Sequence, residues 1–343
     1  MEAPRGPTEV LDDHIPDVSR NGASFAAGVQ GAVPPNQGIP VSLAPWAELA
    51  AWWHDLGKYS DYFQRYIRRE SGLEPDLDAP AAVDHSTAGA ILAARRASDT
   101  SDPARGVFLR LVAYAIAGHH AGLADHGPAE EPGTLLARPP QTVPEIADAL
   151  SRAPRELLER TVPPTPDLSC WARSSHPAFG LSLWARMLFS CLVDADYLAT
   201  ECFMDAARSA ARPAETPLRP LLERVAQVID SKSAGASGRV AEARRAVVAD
   251  CRAAAERPPG FFTLTVPTGG GKTLSSMNFA LAHAVRHGLR RVIVAVPFTS
   301  IIDQNAGVYR AALGAGAVLE HHSNYDPFAR GPSRAGPNAE DPA

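Results

Sequence analysis

The sequence predicts a multidomain protein. An all-α domain over residues 1–205 precedes a partial α/β domain over 241–330 that is built on a phosphate-binding loop (P-loop). Three observations predict this. Over the first two hundred residues, apolar positions recur at helical spacing, with histidine and aspartate interspersed among them. From FFTLTVP at 261–267 onward, short β-type runs alternate with amphipathic stretches. Between the halves, residues 206–240 shift to Ala, Pro and Ser and end in SKSAGASG, the composition of a linker.

At 343 residues the chain is long enough for two cores. A hydrophobic content of 45% and a mean hydropathy of −0.13 suit a globular protein. The N-terminus MEAPRGPTEVLDDH is polar, so a signal peptide is not expected. No run of eighteen apolar residues occurs, so no membrane partner is expected. Cys170, Cys191, Cys202 and Cys251 show no CxxC spacing and suit reduced core thiols, which points to a cytoplasmic protein. The net charge of −5 gives no global sign of nucleic-acid binding. Lys58, Lys232 and Lys272 are the only lysines, and two of them fall in motifs considered below.

The spacing predicts a helix over 10–30 and a second over 46–69. A Pro/Asp-rich loop at 74–83 follows, then a short helix begins near Asp84 as N-cap. Phe108, Leu111, Val112, Ala115 and Ile116 mark a helix over 107–120. Residues 127–170 are dense in proline, with a short helical piece near 145–160, and read as a surface insertion. A strongly apolar helix covers 180–205 and another helix covers about 239–256. FFTLTVP, RRVIVAVP and AVLEHH read as three strands, separated by helices in LSSMNFALAHAVRHG and SIIDQNAGVYRAAL; the tail 331–343 reads as disordered.

The chemistry-bearing residues of the first half are His14, His54-Asp55, His85, His119-His120 and Asp194. Imidazole and carboxylate are the usual ligands of divalent transition metals, and these are more ligands than one ion needs. A lone histidine on an apolar face is ordinarily a satisfied core residue, so the argument rests on the set. His119 continues the buried stripe of its helix. Asp194 shares a face with Met187 and Cys191, where an unpaired carboxylate would cost several kcal/mol unless a cation offset it. Asp196, about 200° around that helix, is expected to face solvent or to lie behind the ligands. His14 falls in a first helical turn, where Pro16 is tolerable because the first N–H groups lack intrahelical partners. Lys58, three residues after Asp55, shares its face on a helix and suits contact with a phosphate or a salt bridge to a ligand.

The order of these motifs resembles the HD family of metal phosphohydrolases. Within it, HDLGK followed by Phe63-Gln64, HSTAGA, GHHAGL and LVDADYLATE resemble the nuclease domain of the type I CRISPR-associated helicase–nuclease, over roughly 10–205. The resemblance implies an all-α HD-type phosphohydrolase fold and a two-metal site bridged by Asp55. His14, His54 and Asp194 are carried to one metal, and His85, His119 and His120 to the other. Asp55 and Lys58 are then the catalytic candidates. Two ions about 3.5–4 Å apart lower the pKa of a shared water and hold both the attacking and leaving oxygens of a phosphodiester. The nitrogen-rich set favours Fe, Mn, Co or Ni, with Mg also possible.

VPTGGGKT at 266–273 has Val266 where the full P-loop pattern has its first glycine. Gly269, Gly270, Gly271, Lys272 and Thr273 are the candidates for binding ATP with Mg²⁺, the backbone N–H groups cradling phosphate and Lys272 reaching the outer phosphates. The loop variant, together with VIVAVPFTSIIDQNA, resembles superfamily-two helicases, and VLEHHSN resembles the first RecA-like domain of the same CRISPR helicase family. His321 and His322 are not assigned to metal. No Asp-Glu-x-His segment follows, and no second RecA-like domain, so the expectation is an incomplete motor unable to unwind DNA alone.

The resemblance therefore implies a metal-dependent endonuclease acting on single-stranded DNA in a type I CRISPR system. Its partners would be the RNA-guided CRISPR targeting complex and a separate chain carrying the rest of the helicase. One alternative is an HD phosphohydrolase of small nucleotides with the P-loop as sensor. Another is a non-catalytic remnant that binds nucleotide or the targeting complex.

Overall fold

The computed structural model describes residues 11–31, 42–123, 143–166, 176–211 and 216–322. The chain divides into two compact units, Met1–Arg212 and Pro213–Ala343.

The first unit is helical throughout its described residues: α1 (Leu11–Gly31), α2 (Ala44–Trp53), α3 (Asp61–Glu70), α4 (Thr87–Asp99), α5 (Pro103–Gly118), α6 (Pro144–Arg152), α7 (Arg155–Leu158), α8 (Pro177–Met204) and α9 (Ala206–Ala210). Helix α1 packs on α2 and α8, α5 packs on α4 and α8, and α2 touches α5 and α8. At the centre, Phe108 sits edge-on to Trp184 with ring centroids 4.8 Å apart, and Trp46 closes the trio at 5.4 Å from Phe108. All three rings are fully buried. Truncating any one to alanine costs about 3–5 kcal/mol.

The helix boundaries follow from side-chain caps. The Asp102 carboxylate accepts from the amides of Ala104 and Arg105 at 3.0 and 3.2 Å, with Pro103 in the first helical position of α5. The helix expected over 46–69 is in fact three pieces. Helix α2 stops at Trp53, a 3-10 turn spans Leu56–Tyr59, and α3 starts after Ser60, whose hydroxyl accepts from the Phe63 amide at 3.1 Å. The break arises because the Gly57 amide donates to the carbonyl of His85 at 3.1 Å instead of to its own helix. Helix α4 begins at Thr87 rather than near Asp84. Asp84 still caps it from outside, accepting from the amides of Ser86 and Thr87 at 2.8 and 3.0 Å.

The proline-rich stretch is not wholly a surface insertion. Its described part, 143–166, carries α6 and α7 and buries Ile146, Ala149, Ala153 and Leu157 in the core. It is tied down by backbone carbonyls that meet core donors: Trp53 Nε1 donates to Leu157 O at 2.8 Å and Arg96 to Leu158 O at 2.9 Å. Residues 127–142 and 167–170 of that reading, and the tail 331–343, lie outside the described residues.

Helix α8 is long and apolar enough to cross a membrane by length and composition. Here it lays Trp184, Leu188, Leu192, Ala195 and Ala199 into the core of the first unit, while Phe179, Tyr197 and Met204 stay exposed.

The second unit is also helical, with α10 (Leu218–Ser233), α11 (Arg239–Ala255), α12 (Lys272–His287), α13 (Thr299–Leu313) and a 3-10 turn at Ala315–Ala317. The linker expected over 206–240 contains α10, which contributes Leu221, Val225 and Ile229 to a core with Met277, Leu281, Tyr309 and Leu313. The expected parallel sheet is absent among the described residues. FFTLTVP, RRVIVAVP and AVLEHH form no strand ladder. Phe261, Ile293 and Leu319 are largely exposed, at 107%, 82% and 88%. Helix α12 packs on α10 and α11 instead, and the apolar runs, their backbone unpaired in any ladder, only partly bury Phe262, Val292 and Val318.

The glycine-rich turn is nonetheless formed. Gly269 and Gly271 have φ of 80° and 84°, the Gly270 amide donates to Pro267 O at 3.0 Å, and Gly271 sits at the N-cap of α12. Arg244 of α11 donates to the Gly269 carbonyl through Nε and Nη2 at 2.9 and 2.7 Å. Lys272 and Thr273 open the helix, with Lys272 exposed.

Candidate metal centre

Four segments of the first unit bring six of the seven expected ligands together, and a residue placed elsewhere by the sequence reading joins them. His14, His54, Asp55 and Asp196 form one buried group whose ligand atoms all lie within 4.8 Å of one another. His85, His119 and His120 form a second group on the same criterion; His119 is buried, His85 half-buried and His120 exposed.

Asp55 joins the two. Its Oδ2 lies 3.2 Å from His54 Nε2 and 3.5 Å from His14 Nε2. Its Oδ1 faces the other way, 3.8 Å from both His85 Nε2 and His119 Nε2. Asp196 Oδ1 closes the first group at 3.2 Å from His14 Nε2 and 3.7 Å from His54 Nε2.

Asp194 is not in this group. It is exposed on α8, whereas Asp196 is buried. The helix phase explains the exchange. The buried stripe of α8 runs Leu188, Leu192, Ala195 and Ala199, and Asp196 lies four residues from Leu192 and three from Ala199. Met187, taken as the marker of the inner face, is only half-buried.

The local structure aims these rings. His54 and His119 each occupy the C-cap position of a helix, α2 and α5. There the last carbonyls lack intrahelical donors. His54 Nδ1 meets Ala51 O at 2.7 Å and His119 Nδ1 meets Ile116 O at 2.7 Å. One device used twice puts the proton on Nδ1 and leaves Nε2 directed at the cluster. His54 Nε2, His85 Nε2, His119 Nε2 and Asp55 Oδ1 are buried without a well-formed hydrogen bond. Buried polar atoms are ordinarily satisfied, so their convergence is what a metal centre requires. Phe63 packs edge-on to His85 at 5.3 Å, and Gln64 Nε2 donates to Lys58 O at 2.8 Å, so the residues after HDLGK brace the turn.

Two glycines permit the assembly. A Cβ on Gly57 would stand 2.3 Å from His85 O, and one on Gly89 would stand 1.8 Å from Trp53 O. The glycines of HDLGK and HSTAGA thus let the His54-Asp55 turn and the His85 strap lie backbone against backbone.

The electrostatics is strongly polarised. Burial favours the neutral His54 ring, but the Asp55 and Asp196 carboxylates outweigh it and push its pKa up to about 10. Burial opposes ionisation of Asp55, yet His54, Lys58 and His119 hold it well below the usual carboxylate range. Asp196 is likewise lowered against its own burial, by His14 and His54. His119 moves the other way, to about 3, through burial and the nearby His54 charge. Burial also lowers His85. Lys58 Nζ sits 2.6 Å from Asp55 Oδ2, so it forms the expected salt bridge to Asp55.

A helical domain whose centre is a histidine–aspartate double cluster bridged by one carboxylate defines a metal-dependent hydrolase of the HD class. The family model "Cas3, HD domain" matches residues 18–201, more than half of the chain. The chain therefore belongs to the Cas3 HD-domain family, the CRISPR-associated metal-dependent nucleases. The match starts after His14, yet the fold carries His14 into the cluster. No curated protein matches the chain.

Proposed function

We propose that this protein is an endonuclease for single-stranded DNA in CRISPR interference, working with two divalent ions. The observation that supports it best is the division of the Asp55 carboxylate between two histidine groups. His14, His54, Asp55 Oδ2 and Asp196 would hold one ion. His85, His119, His120 and Asp55 Oδ1 would hold the other. The donors fit nitrogen-preferring ions such as Mn²⁺, Fe²⁺, Co²⁺ or Ni²⁺. Bound there, such ions lower the pKa of water and clamp a phosphodiester between two positive charges.

The residues of the chain do the rest. The first group is fully buried and the second opens to solvent at His85 and His120, so a nucleic-acid backbone reaches the centre from that side. His54 and His119 stay fixed through their Nδ1 contacts. Lys58 orients Asp55, and at 24% side-chain exposure its ammonium borders the opening, where a phosphate oxygen would meet it. Charge-assisted contacts of this kind favour developing negative charge at the reacting phosphate.

The turn at 269–271 supports a second element of this reading, nucleotide binding by Gly269 to Thr273. Phosphate oxygens would replace solvent on the first amides of α12. Loss of ATP-analogue binding in Lys272→Ala, with cleavage of DNA unaffected, is the expected result.

The deciding experiment is degradation of circular single-stranded DNA with Mn²⁺, Ni²⁺ or EDTA, beside Asp55→Ala. Metal-dependent cleavage that vanishes in the variant is expected. Intact DNA together with hydrolysis of mononucleotides would replace this reading with a nucleotide phosphohydrolase.

A further inference from the structure

The second unit carries another group of ligand-type side chains, remote in sequence from the HD motifs. Helix α13 presents Asp303 and Arg310, seven residues apart and hence on one stripe. After the 3-10 turn the chain becomes extended at Val318 and then supplies Glu320 and His322. Glu320 and His322 are nearly buried, at 8% and 10% side-chain exposure, while Asp303 is 63% exposed. One ligand atom from each of Asp303, Glu320 and His322 lies within 4.8 Å of the others.

Two carboxylates converge on one imidazole nitrogen. His322 Nε2 lies 3.2 Å from Glu320 Oε1 and 3.4 Å from Asp303 Oδ1. The shorter contact is a hydrogen bond, but the single Nε2 proton can serve only one of the two carboxylates, which leaves the Asp303 oxygen beside it without that donor. Around a tetrahedral ion with bonds of about 2.0–2.2 Å, neighbouring ligand atoms stand about 3.3–3.5 Å apart. The 3.4 Å spacing to Asp303 equals such an edge, and the 3.2 Å spacing lies just under one. The other Glu320 oxygen, Oε2, accepts from Arg310 at 2.6 Å, which fixes the carboxylate and leaves Oε1 turned to the group.

We propose that Asp303, Glu320 and His322 form a third metal site, selective for Zn²⁺. One imidazole nitrogen and two carboxylate oxygens suit zinc, with water on the exposed Asp303 side as the fourth ligand. The ion fastens the segment after the 3-10 turn to α13. Arg310 acts as a positioning residue for Glu320. This site is separate from the HD centre and does not depend on the nuclease reading.

The test is zinc stoichiometry of the full chain, measured by competition with a chromophoric chelator, for the unaltered protein, His322→Ala and Asp303→Asn. Each variant is expected to bind one zinc equivalent fewer per chain. Asp303 is exposed, so Asp303→Asn keeps the fold and answers the question even if His322→Ala does not. Hydrogen exchange gives the position: Zn²⁺ should slow exchange across 299–322 in the unaltered chain and leave Asp303→Asn unchanged. Equal stoichiometry in all three proteins, or zinc-independent exchange in this segment, overturns the proposal.

Discussion

The amide of Gly57 donates to the carbonyl of His85 across 3.1 Å, with no space for a side chain between them. This one contact sets the distance between the His54-Asp55 turn and the second histidine group. Gly57→Ala would have to push backbone, not a flexible side chain, out of the way. It should destabilise the first unit by about 1–3 kcal/mol. The same displacement moves His85 from Asp55 Oδ1, so the variant should bind one metal ion fewer at concentrations that saturate the unaltered protein. Thermal unfolding and metal analysis on the same sample check both; an unchanged metal content would refute the positioning role.

The two aspartates of α8 are expected to behave oppositely. Asp196→Ala removes a buried carboxylate facing His14 and His54, and leaves the remaining charges there underpaired. Loss of metal-dependent cleavage and destabilisation of the metal-free protein by about 3–5 kcal/mol should follow. Asp194→Ala alters an exposed position and should leave cleavage within about twofold, its stability staying within about 0.5 kcal/mol. Rate and melting measurements on the pair decide which residue belongs to the centre.

Metal binding should release protons. With its pKa raised to about 10, His54 is protonated in the metal-free protein at neutral pH, and that proton must leave before Nε2 can act as a ligand. Affinity should rise with pH, by up to about tenfold per unit for one displaced proton, and level off above pH 10. The same raised pKa stabilises the metal-free fold fully below the unfolded value of about 6.5 and is lost as pH climbs through 10. His119, lowered to about 3, has the opposite sign, and its contribution is lost as pH falls below about 6.5. Calorimetric titration of Mn²⁺ in buffers of different ionisation enthalpy measures the proton count; a count of zero near neutral pH would contradict the arrangement around His54.

Trp53→Phe should loosen the stretch 143–158 specifically. The indole N–H that meets Leu157 O would be lost while most of the ring volume remains. A cost of about 1–3 kcal/mol is expected, since a buried carbonyl loses its donor. Faster amide exchange confined to α6 and α7 would identify the contact as the tether; faster exchange spread evenly over the first unit would argue against it.

Much of the metal centre was legible in the sequence because its ligands come in adjacent pairs at helix ends. His54-Asp55 and His119-His120 announce themselves in any register. Asp196 was misplaced because a single carboxylate on a mostly apolar helix is located by phase alone, and Met187 gave the wrong phase. The caps by Ser60 and Asp102 are local, whereas the break at Gly57 depends on a carbonyl twenty-eight residues away. The apolar runs at 261–267 and 291–297 have strand composition, yet a ladder needs partners that composition does not supply. The glycine turn formed regardless, because positive φ at Gly269 and Gly271 is a local matter.

Asp55 contributes a final consequence. One carboxylate serves both histidine groups, so occupancy of either must be felt by the other. An ion held by Oδ2 would restrain the carboxylate and draw charge from Oδ1, and linkage would make the effect mutual. Filling of the centre should therefore be a coupled event, described by a sigmoid or a stepped isotherm but not by two independent hyperbolas. A partly loaded molecule would differ from both the empty and the full one in its chemistry.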